Sequence, residues 1–130
     1  DTPAEMNDHW KAIRMAHGSC LLNGLGLGMA LKNILLKNSV TDVTVIDISQ
    51  DLIDIIMPHY PDPRISFITC DAFIYQPLKG KRFSMVWHDI WDDICDDNLS
   101  QMTQLKRKYG KRCDWQGCWA EDQLRSRRWR

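Results

Sequence analysis

An α/β fold built on a parallel sheet of about five strands with flanking helices is predicted by three features of this 130-residue chain. Short apolar runs alternate with amphipathic ones at strand and helix length, four strand candidates are each followed by a glycine or an aspartate, and the first opens directly into a triple-glycine turn. Right-handed crossovers then set the strands side by side in one direction. In such a sheet a ligand lies outside the carboxyl ends of the strands, where the strand order reverses.

Taken in order, residues 1–19 read as a polar lead-in with a short helical piece around residues 9–16. Cys20, Leu21 and Leu22 form the first strand, and Gly24-x-Gly26-x-Gly28 the turn. Met29, Ala30, Leu31, Ile34 and Leu35 supply the apolar face of the next helix, with Lys32, Asn33, Lys37 and Asn38 on its wet side. Residues 43–46 form a second strand ending at Asp47, nineteen residues after Gly28. Ser49 is placed to cap a helix carrying Asp51 in its first turn, Leu52, Ile53, Ile56 and Met57 recur at helical spacing, and Pro58 and Pro61 close it. Residues 65–69 make a third strand that runs into Cys70-Asp71-Ala72-Phe73, and residues 83–88 a fourth that ends at Asp89. Asp97 or Asn98 caps a helix through Leu99, Met102 and Leu105 to about Tyr109, its basic last turn facing the negative end of the helix dipole. A fifth strand fits residues 112–119 despite Asp114, Gln116 and Gly117, and the final run is either a short amphipathic helix or a basic tail. The division is therefore a lead-in, 1–19, a Rossmann-like nucleoside-binding domain, 20–119, and a basic end, 120–130.

A hydrophobic content of 44% suits one core. No apolar run approaches a membrane span, and the first residues are polar where a signal peptide is basic and then apolar, so a soluble, cytoplasmic protein is expected. The five cysteines, Cys20, Cys70, Cys95, Cys113 and Cys118, read as reduced thiols. Cys113 and Cys118 with Cys95 and His88 lack the Cys-x-x-Cys knuckle of a zinc site, so no metal is expected. The net charge is zero, yet Asp89, Asp92, Asp93, Asp96 and Asp97 crowd residues 89–97, and nine Lys or Arg follow from Lys106 onward. The acidic segment attracts a cationic substrate. The terminal arginines, Arg125, Arg127, Arg128 and Arg130, read as a solvated end rather than a nucleic-acid surface.

The glycine turn and Asp47 point to a nucleoside. A turn that passes under a ribose has no room for side chains and uses positive φ, and a carboxylate one strand away accepts hydrogen bonds from both ribose hydroxyls. Gly24, Asp47, Asp71 and Asp89 each follow one strand, so four strand ends converge on one crevice.

These residues resemble the class I S-adenosylmethionine-dependent transferases, and within them the spermidine synthase, or polyamine aminopropyltransferase, branch, in shortened form. Gly24, Gly26 and Gly28 match the first motif, Asp47 with Ile48 the ribose-binding strand end, and Asp71-Ala72 the site that reads the adenine amino group. Asp89-Ile90-Trp91-Asp92 matches an Asp-x-x-Asp in which the family places a catalytic base, Asp89, and an amine-binding carboxylate, Asp92. Asp62-Pro63-Arg64 also looks like that branch. The resemblance implies S-adenosylmethionine or decarboxylated S-adenosylmethionine as cofactor and a small-molecule amine as acceptor, the other readings being methyl transfer to another acceptor or binding without transfer. Trp87 and Trp91 either pack in the core or offer faces to cationic groups, each worth about 0.5–2 kcal/mol. The chain departs from the family at Leu22 and Leu27, where an acid is expected, so the cofactor's amino group loses a partner. The family's sheet has seven strands, and a sheet ending at the fifth has an open edge that a homo-oligomer covers.

Overall fold

The structure, a computed structural model, describes residues 3–26, 28–91 and 95–127. Its elements are α1 (Pro3–Met15), β1 (Gly18–Asn23), α2 (Met29–Leu35), β2 (Val40–Asp47), α3 (Gln50–Ile56), a 3-10 turn over Met57–His59, β3 (Ile65–Thr69), β4 (Phe83–His88), α4 (Asn98–Tyr109), β5 (Cys113–Cys118) and α5 (Glu121–Arg127). All strand pairs are parallel, in the order β3-β2-β1-β4-β5. The expected five-stranded α/β sheet is present, and the order reverses beside β1. Ser49 caps α3 by accepting a hydrogen bond from the Leu52 N–H. Of the final run, Glu121–Arg127 is helical as α5, and residues 128–130 lie outside the described residues.

Strand alternation divides the core between the two faces. Cys20 and Leu22 of β1, Val43 and Val45 of β2, and Met85 and Trp87 of β4 pack with Ala12 and Ile13 of α1, with Ala16 just after it, and with Ala30, Leu31 and Ile34 of α2. Leu21, Ile46 and Val86 point the other way, onto Tyr109 at the end of α4. Leu22 therefore sits in the core at 2% exposure, where an acid would be buried without a partner. Trp87 is likewise a core residue, stacked on Trp115.

Two polar devices brace this frame. The Arg64 guanidinium donates to the Leu35, Lys37 and Val40 carbonyls, tying the α2–β2 connection to the start of β3. Its hydrogen bonds to Asp62 hold that carboxyl down at about 2. The Asp62-Pro63-Arg64 motif thus has a visible structural use. On the α4 side, the Asn23 amide nitrogen lies 3.0 Å from His88 Nδ1, and His88 Nε2 lies 3.0 Å from Gln116 Oε1. Gln116 Nε2 donates to the Lys106 carbonyl, which fixes the amide's orientation and makes His88 a neutral Nε2–H tautomer. Burial pushes His88 down to about 4, against the opposing effect of the Gln116 hydrogen bond. This ladder explains why β5 carries a polar residue inside a strand.

No helix among the described residues is long and apolar enough to cross a membrane. All five cysteines are free thiols, and burial raises Cys20 to about 11.

Candidate functional site

The strand register builds the site. Asn23 pairs with Ile46 on one side and His88 on the other, and His88 pairs with Cys118, so the strand ends are level. The ladder runs one step past them: Gly24 N–H donates to Ile46, Cys70 N–H to Asp47, Asp89 N–H to Asn23 and Trp119 N–H to His88. The residues that follow the strands form one rim. They surround a cavity of about 690 Å³ lined by Gly24, Gly26, Asp47, Ile48, Asp71 and Ala72 from one part of the sheet, and by Asp89, Ile90, Trp91 and Trp119 from the other. Asp47, Asp71 and Asp89 line it, and no lysine or arginine does so among the described residues. The cavity favours a cation.

The glycine turn is its floor. Gly24 has φ 94° and Gly26 φ 54°, both in the left-handed region that disfavours side chains. A Cβ on Gly24 would lie 2.2 Å from the Asp89 carbonyl oxygen, and one on Gly26 2.1 Å from Asp89 Oδ2. Asp89 therefore folds its carboxylate against the glycine turn. Gly28, with φ 79°, precedes α2 at its N-cap and does not line the cavity.

Over β2 and β3 the carboxylates are held by backbone donors. Asp47 Oδ2 accepts from Leu25 N–H at 3.0 Å and Oδ1 from Ser49 N–H at 2.9 Å, so one side chain joins the glycine turn to the cap of α3. Each oxygen keeps a lone pair for a ligand. Asp71 Oδ1 accepts from Phe73 N–H, closing a turn that the Lys108 ammonium pins by donating to the Ala72 and Phe73 carbonyls. Burial holds Lys108 below its ordinary range. Ala72 is buried, whereas Ile48 is 73% exposed at the rim.

Over β4 and β5 the site is more enclosed. Asp89 is 8% exposed, and its Oδ2 lies 3.4 Å from Nε2 of His9 on α1, itself 3% exposed. His9 Nδ1 is buried with no hydrogen-bond partner among the described residues. Trp91 lines the cavity with its indole N–H fixed on Gln101 Oε1 at 2.6 Å. Below Trp119, burial works against the Glu121 charge, but hydrogen bonds from Arg125 and Lys106 outweigh it and hold the carboxyl low.

The structure thus brings together Gly24, Gly26, Asp47, Ile48, Asp71, Ala72 and Asp89. Asp92 and Leu27 lie outside the described residues. Sequence reasoning missed His9, Gln101 and Trp119 as lining residues. A signal for His9 was present: His9, Ala12, Ile13 and Ala16 share one helical face, and the other three are core residues.

No family model matches the chain. Among solved structures it is similar to the N-methyltransferase NodS from Bradyrhizobium japonicum WM9, at 17% identity and a TM-score of 0.63, over 87% of this chain and 64% of that one. NodS in complex with S-adenosyl-l-homocysteine superposes with a TM-score of 0.62 at 18% identity, over 87% and 58%. The plantazolicin methyltransferase BpumL in complex with S-adenosylhomocysteine gives 0.57 at 19% identity, over 85% and 41%. The chain thus spans 64% or less of the length of each of these proteins. The likeness is one of fold: the chain has the Rossmann-like fold of class I methyltransferases in a five-stranded form.

Proposed function

We propose that this chain binds S-adenosylmethionine and transfers its methyl group to a small amine. The observation that carries the reading is the joint placement of a side-chain-free glycine floor and the Asp47 carboxylate on one cavity, in a fold shared with solved methyltransferases. The cavity suits the ligand on other grounds too. The acidic lining matches a sulfonium, the exposed Ile48 offers an apolar face to a base, and Asp71, turned by Phe73 N–H, keeps Oδ2 for an amino group. Asp47, Ile48, Asp71 and Ala72 hold the adenosyl part in this reading, and Gly24 and Gly26 pass beneath it.

S-adenosylmethionine supplies an alkyl carbon on a sulfur that is already a good leaving group. The chain's own task is placement and desolvation of a neutral nucleophile. Trp91 and Trp119 wall the side over β4 and β5, where an acceptor enters, and Gln101 keeps the Trp91 ring in one orientation. The acidic residues from Asp89 onward, Asp92 included, draw in an amine and accept its proton.

Aminopropyl transfer from decarboxylated S-adenosylmethionine to a polyamine is the second reading, favoured by the absence of any lysine or arginine from the described lining. One experiment separates the two. The full chain is incubated with S-adenosylmethionine or its decarboxylated form and with ethanolamine, putrescine or spermidine. Release of S-adenosylhomocysteine supports methyl transfer, and release of methylthioadenosine supports aminopropyl transfer. Binding of S-adenosylhomocysteine with neither product supports a binding protein. We also propose that the outer edge of β5, unpaired among the described residues, takes a strand from a second copy, which sedimentation of the purified chain tests by its mass.

A further inference from the structure

We infer that Gln101 selects the acceptor by donating an amide N–H to a neutral oxygen that the acceptor carries beside its amine. The inference deepens the proposed function and rests on it. The substrate class that follows is a small amino alcohol or amino amide, in preference to an alkylamine or a polyamine.

The orientation of the Gln101 amide is fixed by chemistry. An indole N–H only donates, so the 2.6 Å contact from Trp91 Nε1 requires the oxygen of Gln101 at that place. The amide nitrogen, with its two N–H groups, occupies the other branch. It makes no hydrogen bond among the described residues. Gln101 is an exposed residue that lines the cavity, so this donor is not sealed in the core.

The packing of α4 places the residue there. Leu99, Met102 and Leu105 are its buried positions. Lys108 lies two turns beyond Gln101 on the same side of the helix. Its ammonium donates to the carbonyls of Ala72 and Phe73, both of which line the cavity. Gln101 and Lys108 therefore run along one rim, the second tied to backbone and the first left with a donor to offer.

The rest of the lining decides what that donor can meet. Over β4 and β5 the cavity presents the Asp89 carboxylate, an acceptor that suits an amine, between the largely buried rings of Trp91 and Trp119. Gln101 has the opposite polarity and needs a lone pair. A diamine brings one nitrogen whose lone pair attacks and one ammonium with N–H donors only, so it leaves Gln101 unmatched. A carboxylate has lone pairs, but Asp47, Asp71 and Asp89 line the same cavity with no lysine or arginine among the described residues, and a further negative charge is repelled. A hydroxyl or an amide carbonyl supplies the lone pair without the charge.

The test gives the full chain S-adenosylmethionine and, one at a time, ethanolamine, glycinamide, n-propylamine, glycine and putrescine, and measures release of S-adenosylhomocysteine. n-Propylamine replaces the hydroxyl of ethanolamine by a methyl group of similar size. Rates are referred to the unprotonated amine, because the five differ in basicity. For wild type, kcat/KM with ethanolamine or glycinamide is expected to exceed that with the other three by about tenfold or more, and the better of the two tells a hydroxyl from a carbonyl. Gln101→Glu keeps an oxygen for the Trp91 N–H and removes both amide donors. It is expected to bring the preference over n-propylamine within twofold and to raise putrescine at least tenfold relative to ethanolamine. Calorimetric affinity for S-adenosylhomocysteine stays within twofold, which also shows that the variant is folded. Should it not fold, the wild-type comparison decides alone. Equal turnover of ethanolamine, glycinamide and n-propylamine by wild type overturns the inference. So does an unchanged preference in Gln101→Glu, which would leave Gln101 only the positioning of Trp91, and so does a loss of S-adenosylhomocysteine affinity as large as the loss of turnover. No product from any of the five amines overturns methyl transfer to a small amine itself, a result that looks different from turnover without selectivity.

Discussion

The two sides of the cavity are built differently. Over β2 and β3, Asp47 and Asp71 are fixed by backbone N–H groups at 2.9–3.0 Å from Leu25, Ser49 and Phe73. Over β4, the described polar contact of the Asp89 carboxylate is one long approach to a histidine from another element, and the other ring nitrogen of that histidine is buried without a hydrogen-bond partner among the described residues. The first side is set before any ligand arrives, so little ordering is needed on binding. The second is held, among the described residues, by that one long contact. A side fixed by backbone donors and a side held by one long-range side-chain contact thus share one rim.

The largest expected effect removes both sides at once. Gly24→Ala forces a side chain at φ 94° into the Asp89 backbone carbonyl, which cannot move aside as a side-chain tip can. A loss of about 3–4 kcal/mol in urea unfolding is expected, with loss of S-adenosylhomocysteine binding. A normal stability would mean that the two sides do not meet at this turn.

Next comes the support beneath the β4 side. His88 titrates at about 4 when folded against an ordinary 6.5, because its buried cation is disfavoured. The unfolded chain takes up that proton first as pH falls, so the contribution is complete above about pH 6.5 and is lost toward pH 4, up to about 3 kcal/mol. Urea midpoints at pH 7, 5.5 and 4 are expected to converge partly between wild type and His88→Gln as the pH drops. A constant gap would show that His88 keeps the same protonation folded and unfolded.

The rigid side responds more modestly. Asp47→Ala leaves the Leu25 and Ser49 N–H groups without their acceptor and is expected to cost about 1–2 kcal/mol of stability. Its calorimetric affinity for S-adenosylhomocysteine should fall at least tenfold. Ile48→Ala is the smallest and sharpest probe. The side chain is 73% exposed, so stability should change by less than about 0.5 kcal/mol. Affinity should still fall by about 1 kcal/mol, because the methyl groups are covered only by a bound base. A change in stability larger than the change in affinity would place Ile48 in the fold rather than in the site.

The rigid side was also the more legible one. Gly24, Asp47 and Asp71 follow short apolar strands, and local rules of turns, caps and period-two alternation suffice to place them. The third and fourth strands fall where those rules put them, at Ile65–Thr69 and Phe83–His88. The other side depends on contacts across the chain. His9 and Asp89 are 80 residues apart, and nothing in the local pattern of either announces the other. Asn23 offered no role until β1 and β4 were paired, when it proved to hold His88. Gln116 weakened the case for the fifth strand for the same reason, since its partner lies on a neighbouring strand.

In the proposed function, the glycine floor and Asp47 form one adenosyl site. It is tested most directly by titrating S-adenosylhomocysteine into the folded full chain and into Asp47→Ala, with heat as the readout. Wild type is expected to show one site per chain, and the variant an affinity at least tenfold weaker. A wild type that gives no binding heat and no thermal stabilisation, or a variant that binds equally well, would contradict it.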